Sequence, residues 1–414
     1  MEIKPRKLMM RNIIYIFLAA FIFSCNAKEK TTRHIAFHGL GTSRDSAFSG
    51  SCPYLFKAGD SAVLISWLRD VSDTQAVLCY AIADNGVDFG ATVVVPGSDN
   101  AHPHGENLPR VIKTPDGKIL ATWGAANPNP KNPYSGIVYY SWSLDDGKNW
   151  TAPQTLSRDT NSIDQRYFDI EILKDNTVGI IWLDNRKQTD KEGSSLYFAT
   201  FNENNVTDNE RAIDATACQC CRTDLFADKQ GNLHAVYRKI INDSIRDMVH
   251  TVSADNGKTF SVPERISPDN WVINGCPHTG PAIAQTSEGL SFAWYTLGNG
   301  SGVFYADSKD NGKTFSKRDA VSAKPSAKHP QIAIAKTGEQ LIVWDEGASH
   351  GNRIGIEVRS AGGKKLKTDY LTDSTSYASF PVIRSLGNGF IVAYSGRNKP
   401  GDNEKIFYKI IDPL

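Results

Sequence analysis

Net charge, long apolar runs and helical periodicity are all scarce in this chain, and each scarcity removes a class of function. The 46 Lys and Arg nearly cancel the 45 Asp and Glu, leaving a formal charge of +1. No basic stripe stands outside the N-terminus, so electrostatic capture of nucleic acid or of an anionic surface is excluded as the work of the folded part. The apolar run over 13–23 is shorter than the roughly 20 residues with which a helix crosses a bilayer. Beyond it no segment carries a long helical period, which leaves short strands and turns as the building material. Cysteine is sparse too, with seven residues, and their placement is uneven.

The N-terminus reads as an export signal. Lys4, Arg6, Lys7 and Arg11 precede the apolar run, which ends Ile22-Phe23-Ser24-Cys25. This ending resembles a bacterial lipobox, in which the cysteine becomes the lipidated first residue of the mature protein; a plain cleaved signal or a short anchor is the alternative. The expected organisation is a lipoprotein signal over 1–25, a polar tether over 26–33 and a folded region over 34–414. Such a chain belongs in a bacterial cell envelope, held to a membrane by the lipid on Cys25. Disulfides are permitted there.

What the sequence has in abundance is repetition. Trp67, Trp123, Trp182, Tyr237, Trp294, Trp344 and Tyr394 each end the same strand pattern, at intervals of 50 to 59 residues. Thirteen or fourteen residues before them stand Pro53, Pro109, Phe168, Thr223, Pro281, Pro330 and Pro381. Each unit reads strand, turn, strand, turn, strand, with Asp-Gly or Asn-Gly chemistry at the hairpins. Proline suits the first residue of a strand, where its missing N–H costs nothing. Small antiparallel sheets at this period predict an all-β protein, a β-propeller of four-stranded antiparallel blades. A row of β-sandwich domains needs units of roughly 100 residues. Seven innermost-strand patterns favour seven blades, with six as the alternative, and ring closure is expected between 34–37 and 405–409.

One turn recurs between the third and fourth strands. Ser143-Leu144-Asp145-Asp146-Gly147-Lys148-Asn149-Trp150 is the clearest, with close copies over 253–260 and 308–315 and a decayed one at Asp84-Asn85-Gly86 with Phe89. Asp accepts backbone hydrogen bonds inside such a turn, Gly takes the positive φ, and the aromatic packs beneath. Asp145, Asp255 and Asp310 therefore read as structural. The pattern resembles the Asp-box, or BNR, repeats of the sialidase superfamily, over nearly all of 34–414. That resemblance implies a propeller and leaves activity open, since the superfamily includes hydrolases, lyases and pure binding proteins.

A repeat also assigns loops to faces. Asp-box turns and first hairpin turns share one face; the loops entering each innermost strand, and those following each aromatic, share the other. The resemblance implies that the site lies on this second face. Entering loops supply Ser51-Cys52, 102–110, 164–169, 218–224, Cys276-Pro277-His278 and His329, and exit loops supply Arg69-Asp70, 184–186, Arg238, Arg246-Asp247, Asp345-Glu346, His350 and Arg397. Only Cys79 among the cysteines beyond Cys25 reads as ordinary core.

Two chemistries compete for that face. A sialidase holds its substrate carboxylate with three arginines and uses a glutamate-activated tyrosine with an aspartate acid–base. The resemblance therefore nominates Arg110, Arg166, Arg186, Arg222, Arg238 and Arg246, with Glu106 and Asp169 as acids and Tyr167 or Tyr394 as nucleophile. Each arginine has a plainer role as partner of a nearby carboxylate. The family's Arg-Ile-Pro opening is absent, proline preceding arginine at Pro109-Arg110, and no Tyr/Glu pair follows from a motif. Alternatively Cys218, Cys220, Cys221, Cys276 and His278 surround a copper or zinc ion, or the cysteines form disulfides or remain free thiols. His102, His104 and Glu106 form either a second cluster or a solvated turn. The expected function is a lipid-anchored, sialidase-like propeller that binds, and as an enzyme hydrolyses, a glycan or other anionic ligand. A metal- or redox-linked propeller, or a disulfide-stapled scaffold for an envelope protein partner, is the alternative.

Overall fold

The described residues of the computed structural model are Met1, 37–39 and 49–411, apart from Asp60, Lys131, 187–191 and Glu203. Cys25, with the expected signal and tether, lies outside them. Every named element is a strand, and the strands pair antiparallel in seven successive sets of four. The sets span 51–94, 110–155, 165–217, 224–265, 282–322, 328–370 and 377–411, the last completed by Phe37–Gly39. Sets three and four merge into one eight-stranded sheet where Ala217 faces Lys239. The closing strand sits slightly beyond its expected register, with Phe37 opposite Ile411 and Gly39 opposite Lys409.

The periodic aromatics explain how the sets join. Each lies on the second strand of its own set and enters an apolar cluster with residues of the set before. Trp123 packs with Leu68 and Leu78, Trp182 with Val138, and Tyr237 with Leu196. Trp294 packs with Val236, Trp344 with Ala293, and Tyr394 with Leu341. Trp67 completes the circuit against Ile391 and Ala393 of the last set. All seven are between 0% and 6% exposed, and truncating any one to alanine is expected to cost about 3–5 kcal/mol.

The Asp-box turns repeat atom for atom. In the second set Ser143 Oγ accepts the Gly147 N–H at 2.8 Å, while Asp145 accepts the Asn149 N–H at 2.8 Å. Ser253 and Asp255, then Ser308 and Asp310, make the same bonds at 2.8 Å. Hydrogen bonds from Thr259 and Thr314 hold the Asp255 and Asp310 carboxyls down at about 2. Each box glycine also leans on a ring of the preceding set. A Cβ would lie 2.3 Å from Tyr80 Oη at Gly147, 2.3 Å from Phe198 Cζ at Gly257 and 2.1 Å from His250 Cε1 at Gly312. The boxes are joints between sets.

These turns meet the first hairpin turns at one end of the ring. Lys113 pairs with Asp146 at 2.6 Å, and Asn256 Nδ2 donates to Asp175 Oδ2 at 2.5 Å. The entering loops converge at the other end.

Candidate functional site

Where four of the innermost strands begin, the ladder is broken. Register shifts fall between Ser51 and Tyr54, Arg166 and Asp169, Lys328 and Gln331, and Ser379 and Val382. The residue just before the strand anchor adopts a positive φ in each: 59° at Cys52, 56° at Tyr167, 52° at His329 and 52° at Phe380. None is glycine, and such backbone costs on the order of 1–3 kcal/mol per residue. A bulge re-aims a side chain that a regular strand would send elsewhere. Four side chains at equivalent positions are thus turned by the same device, Cys52 and Tyr167 into the core and His329 and Phe380 into half-buried positions.

Two further histidines, His104 and His278, gather beside them. The His104 ring meets Tyr167 edge-on at 5.6 Å and lies 5.9 Å from His278. His329 Nε2 lies 3.1 Å from the His278 carbonyl, and its ring packs on Phe380 at 4.3 Å. Gly105 admits Phe380 to the 102–110 loop, since a Cβ there would stand 2.4 Å from the ring. His278 is exposed, while His104, His329 and Phe380 are half-buried.

A buried ion pair lies beneath. Arg222 Nη1 reaches Glu106 Oε1 at 3.1 Å, with the side chains 4% and 1% exposed. Arg222 Nη2 donates to the Pro330 carbonyl at 3.2 Å, so one guanidinium ties three entering loops together.

The imidazoles are electrostatically distinct. The Glu106 N–H donates to His104 Nδ1 at 3.2 Å, which leaves Nε2 as the protonated nitrogen of the neutral ring. Burial lowers the His104 pKa, with Glu106 opposing. Burial pushes His329 the same way, but the Asp345 carboxylate, 2.8 Å from Nδ1, outweighs it and the net shift is upward. Asp345 also accepts the Phe380 N–H at 2.7 Å. The site therefore offers a neutral imidazole, one biased toward imidazolium, and an aromatic face, a set suited to hydrogen bonding, stacking and proton transfer.

Below it, a cavity of about 350 Å³ follows the channel between the innermost strands, lined by Tyr54, Arg110, Asp169, Glu171, Asp224 and Arg384 among others. Enclosure raises Glu171 to about 7; burial and then the Asp169 charge raise Asp224. Arg110 bridges to Asp169 at 3.0 Å, Asp169 accepts the Leu225 N–H at 3.0 Å, and Asp224 accepts the Ile283 N–H at 3.0 Å. These acids stitch successive sets together.

The nominated residues thus separate. Arg110 and Asp169 line the channel rather than the loop face. Arg166 pairs with Asp164 at 2.6 Å. Arg186 engages Asp184 and Glu210 and stacks on Tyr197 at 4.1 Å. Arg238 donates to the carbonyls of Arg246, Thr279 and Tyr295 and lies 4.8 Å over Trp271. Arg246 engages Cys218 and Glu192. Glu106 and Arg222 are paired with each other. Tyr167 is 1% exposed, and Tyr394 stacks on Phe407 within the core. Among the described residues every nominated arginine ends on a protein partner. The six described cysteines are free thiols; Cys218, Cys220 and Cys221 come together, Cys276 stands apart and exposed, and His278 joins His104. His329, Asp345 and Phe380 were not singled out as a group by sequence, although His329 and Phe380 share the position just before a proline anchor with Cys52.

Residues 89–274 match the BNR repeat-like domain. No curated protein matches the chain. Among solved structures, a protein of unknown function from Dyadobacter fermentans is 15% identical, with 89% of this chain and 96% of that one covered at a TM-score of 0.53. The polysaccharide lyase Uly1 is 12% identical, over 88% and 90% of the two chains, with a TM-score of 0.53. The NanB sialidase of Streptococcus pneumoniae (K499G mutant) is 12% identical, over 92% and 70%, at 0.49. The repeating antiparallel sets, the bonded Asp boxes and the domain match agree: this chain has a β-propeller fold, and over 89–274 it is similar to the BNR repeat-like domain.

Proposed function

We propose that the chain binds a glycan at the axial cluster of His104, His278, His329 and Phe380. The observation that carries this reading is the positive φ shared by Cys52, Tyr167, His329 and Phe380. Backbone strain repeated at one end of a ring is retained where it places side chains for a ligand. The chemistry fits a sugar: imidazoles present donors and acceptors for hydroxyls, and the Phe380 and His329 rings offer a flat apolar face. A glycan carboxylate would be met by the cationic form of His329. The polysaccharide lyase that shares the fold supports a scaffold compatible with such ligands. Binding is the primary activity, and hydrolysis by three free arginines is disfavoured because those nominated are already engaged.

The same reading has the chain exported and anchored through a lipid on Cys25, on the strength of the 1–25 pattern. Labelling with a palmitate analogue, lost in Cys25→Ala, tests that part separately. The binding reading is tested by titrating neutral, uronate-containing and sialylated oligosaccharides into the protein. At least one class binds the wild type, and His278→Ala weakens it by about tenfold or more, roughly 1.4 kcal/mol. Failure of every class, or an unchanged affinity in the variant, contradicts the proposal.

A further inference from the structure

The glycan reading leaves Cys218, Cys220 and Cys221 unused. They lie on the turn between sets three and four, each 3% exposed or less. Their sulfurs are 3.6 Å apart for Cys218 and Cys220 and 3.8 Å for Cys218 and Cys221, and all three fall within 4.8 Å of one another. Thiolates sharing one ion at about 2.3 Å stand about 3.8–4.0 Å apart, so little movement is needed. A disulfide needs sulfurs near 2.05 Å, and any pair would have to close by well over 1 Å.

Charge supplies an independent argument. The Arg246 guanidinium, on a residue 2% exposed, lies 3.1 Å from Cys218 Sγ. Its other partner, Glu192, is half in solvent. Arg238 is 1% exposed and, among the described residues, meets carbonyl oxygens rather than a carboxylate. Two buried cations near three thiols call for local negative charge, since an unpaired buried charge is costly. Ordinary core thiols do not provide it; thiolates do. Three thiolates around a monovalent ion leave a charge of −2, which Arg238 offsets together with Arg246, a guanidinium shared with the half-exposed Glu192.

We propose that Cys218, Cys220 and Cys221 form a three-thiolate site for copper(I). Soft sulfur ligands select copper(I) or zinc. Structural zinc is almost always four-coordinate, and no fourth Cys, His, Asp or Glu joins the trio among the described residues. Three-coordination by sulfur in a buried pocket favours copper(I). The ion displaces the thiol protons, which leave to solvent, and no redox change is required. Cys276 and His278 are not ligands.

The test titrates copper(I), supplied as its acetonitrile complex, into the anaerobically reduced full chain against a copper(I) chelator. The expected result is one copper(I) per chain, with X-ray absorption showing three sulfurs at about 2.3 Å. Cys220→Ser weakens uptake by about 100-fold or more, whereas Cys276→Ser does not change it. Thermal unfolding of the metal-free variants separates loss of the site from loss of the fold, and the sulfur count of the wild type stands without any variant. A reduced, folded wild type that leaves all copper with the chelator overturns the proposal. So does uptake that depends on Cys276, or zinc retained in preference to copper.

Discussion

Arg222 meets Glu106 at 3.1 Å across 116 residues of sequence, with both side chains withdrawn from water. The pair fastens the loop into set four to the loop into set two, and through the Pro330 carbonyl to set six. It also fixes Glu106, whose N–H holds His104. Removing one member leaves the other charge buried and uncompensated. Glu106→Ala is therefore expected to destabilise the protein by about 3–5 kcal/mol. Replacing both by apolar residues, Glu106→Leu with Arg222→Met, should cost much less than the sum of the single changes. Denaturant unfolding of the four proteins checks this, and additive losses would contradict it.

His329 gives the stability a slope on the alkaline side. Its folded pKa is raised above 6.5, with Asp345 outweighing burial; Glu106 adds to the rise and Arg222 opposes it. The stabilisation is complete below 6.5 and is lost as pH climbs through the folded value, with a slope of at most about 1.4 kcal/mol per pH unit. Unfolding free energies measured upward from pH 6 should fall in the wild type and lose this component in His329→Gln. An identical slope in the variant would show that the imidazolium is not formed.

The opposite sign belongs to His250. Burial, and then the neighbouring His234, lowers its pKa to about 3, with its ring 2.8 Å from His234 and packed among Phe292 and Phe315. Burial likewise lowers His234, with Asp228 opposing. The unfolded chain takes up a proton near 6.5 that the folded chain refuses. Stability should be present above 6.5 and fall as pH drops toward 3, by up to about 1.4 kcal/mol per unit for this histidine. His250→Phe should flatten that limb in an acid titration followed by intrinsic fluorescence.

The Asp-box glycines do more than turn the chain. Gly257 has φ +81° and a Cβ position 2.3 Å from Phe198; Gly117 has φ +88° with nothing within 4 Å. Alanine at Gly117 meets only the conformational penalty, about 1 kcal/mol. Alanine at Gly257 adds overpacking, a further 1–3 kcal/mol or about that. Equal shifts in Tm for the two variants would remove the joint role assigned to the boxes.

The parts of the fold legible in sequence are those that depend on local chemistry. Asp-Gly turns, proline anchors and the spaced aromatics announce themselves because each serves the same contact in every set. The cysteine trio was legible for the same reason, its members lying within four residues. Adjacency of loops does not fix where a side chain ends, and Cys276 ends in solvent, apart from the trio. Arg238 shows the limit most clearly: its partners are carbonyls of Arg246, Thr279 and Tyr295, which residue type alone does not reveal. Nor does sequence disclose that His329 and Phe380 take positive φ, because the bulges that turn them arise only when neighbouring strands pair.

The most direct measurement compares the two ends of the ring. Affinity for the best-bound oligosaccharide should fall about tenfold or more in His278→Ala and in Phe380→Ala, and stay within about twofold in Glu171→Gln and Lys229→Ala at the channel end beside the hairpin turns. Loss of affinity in the second pair with retention in the first would place the ligand in the channel and contradict the axial site.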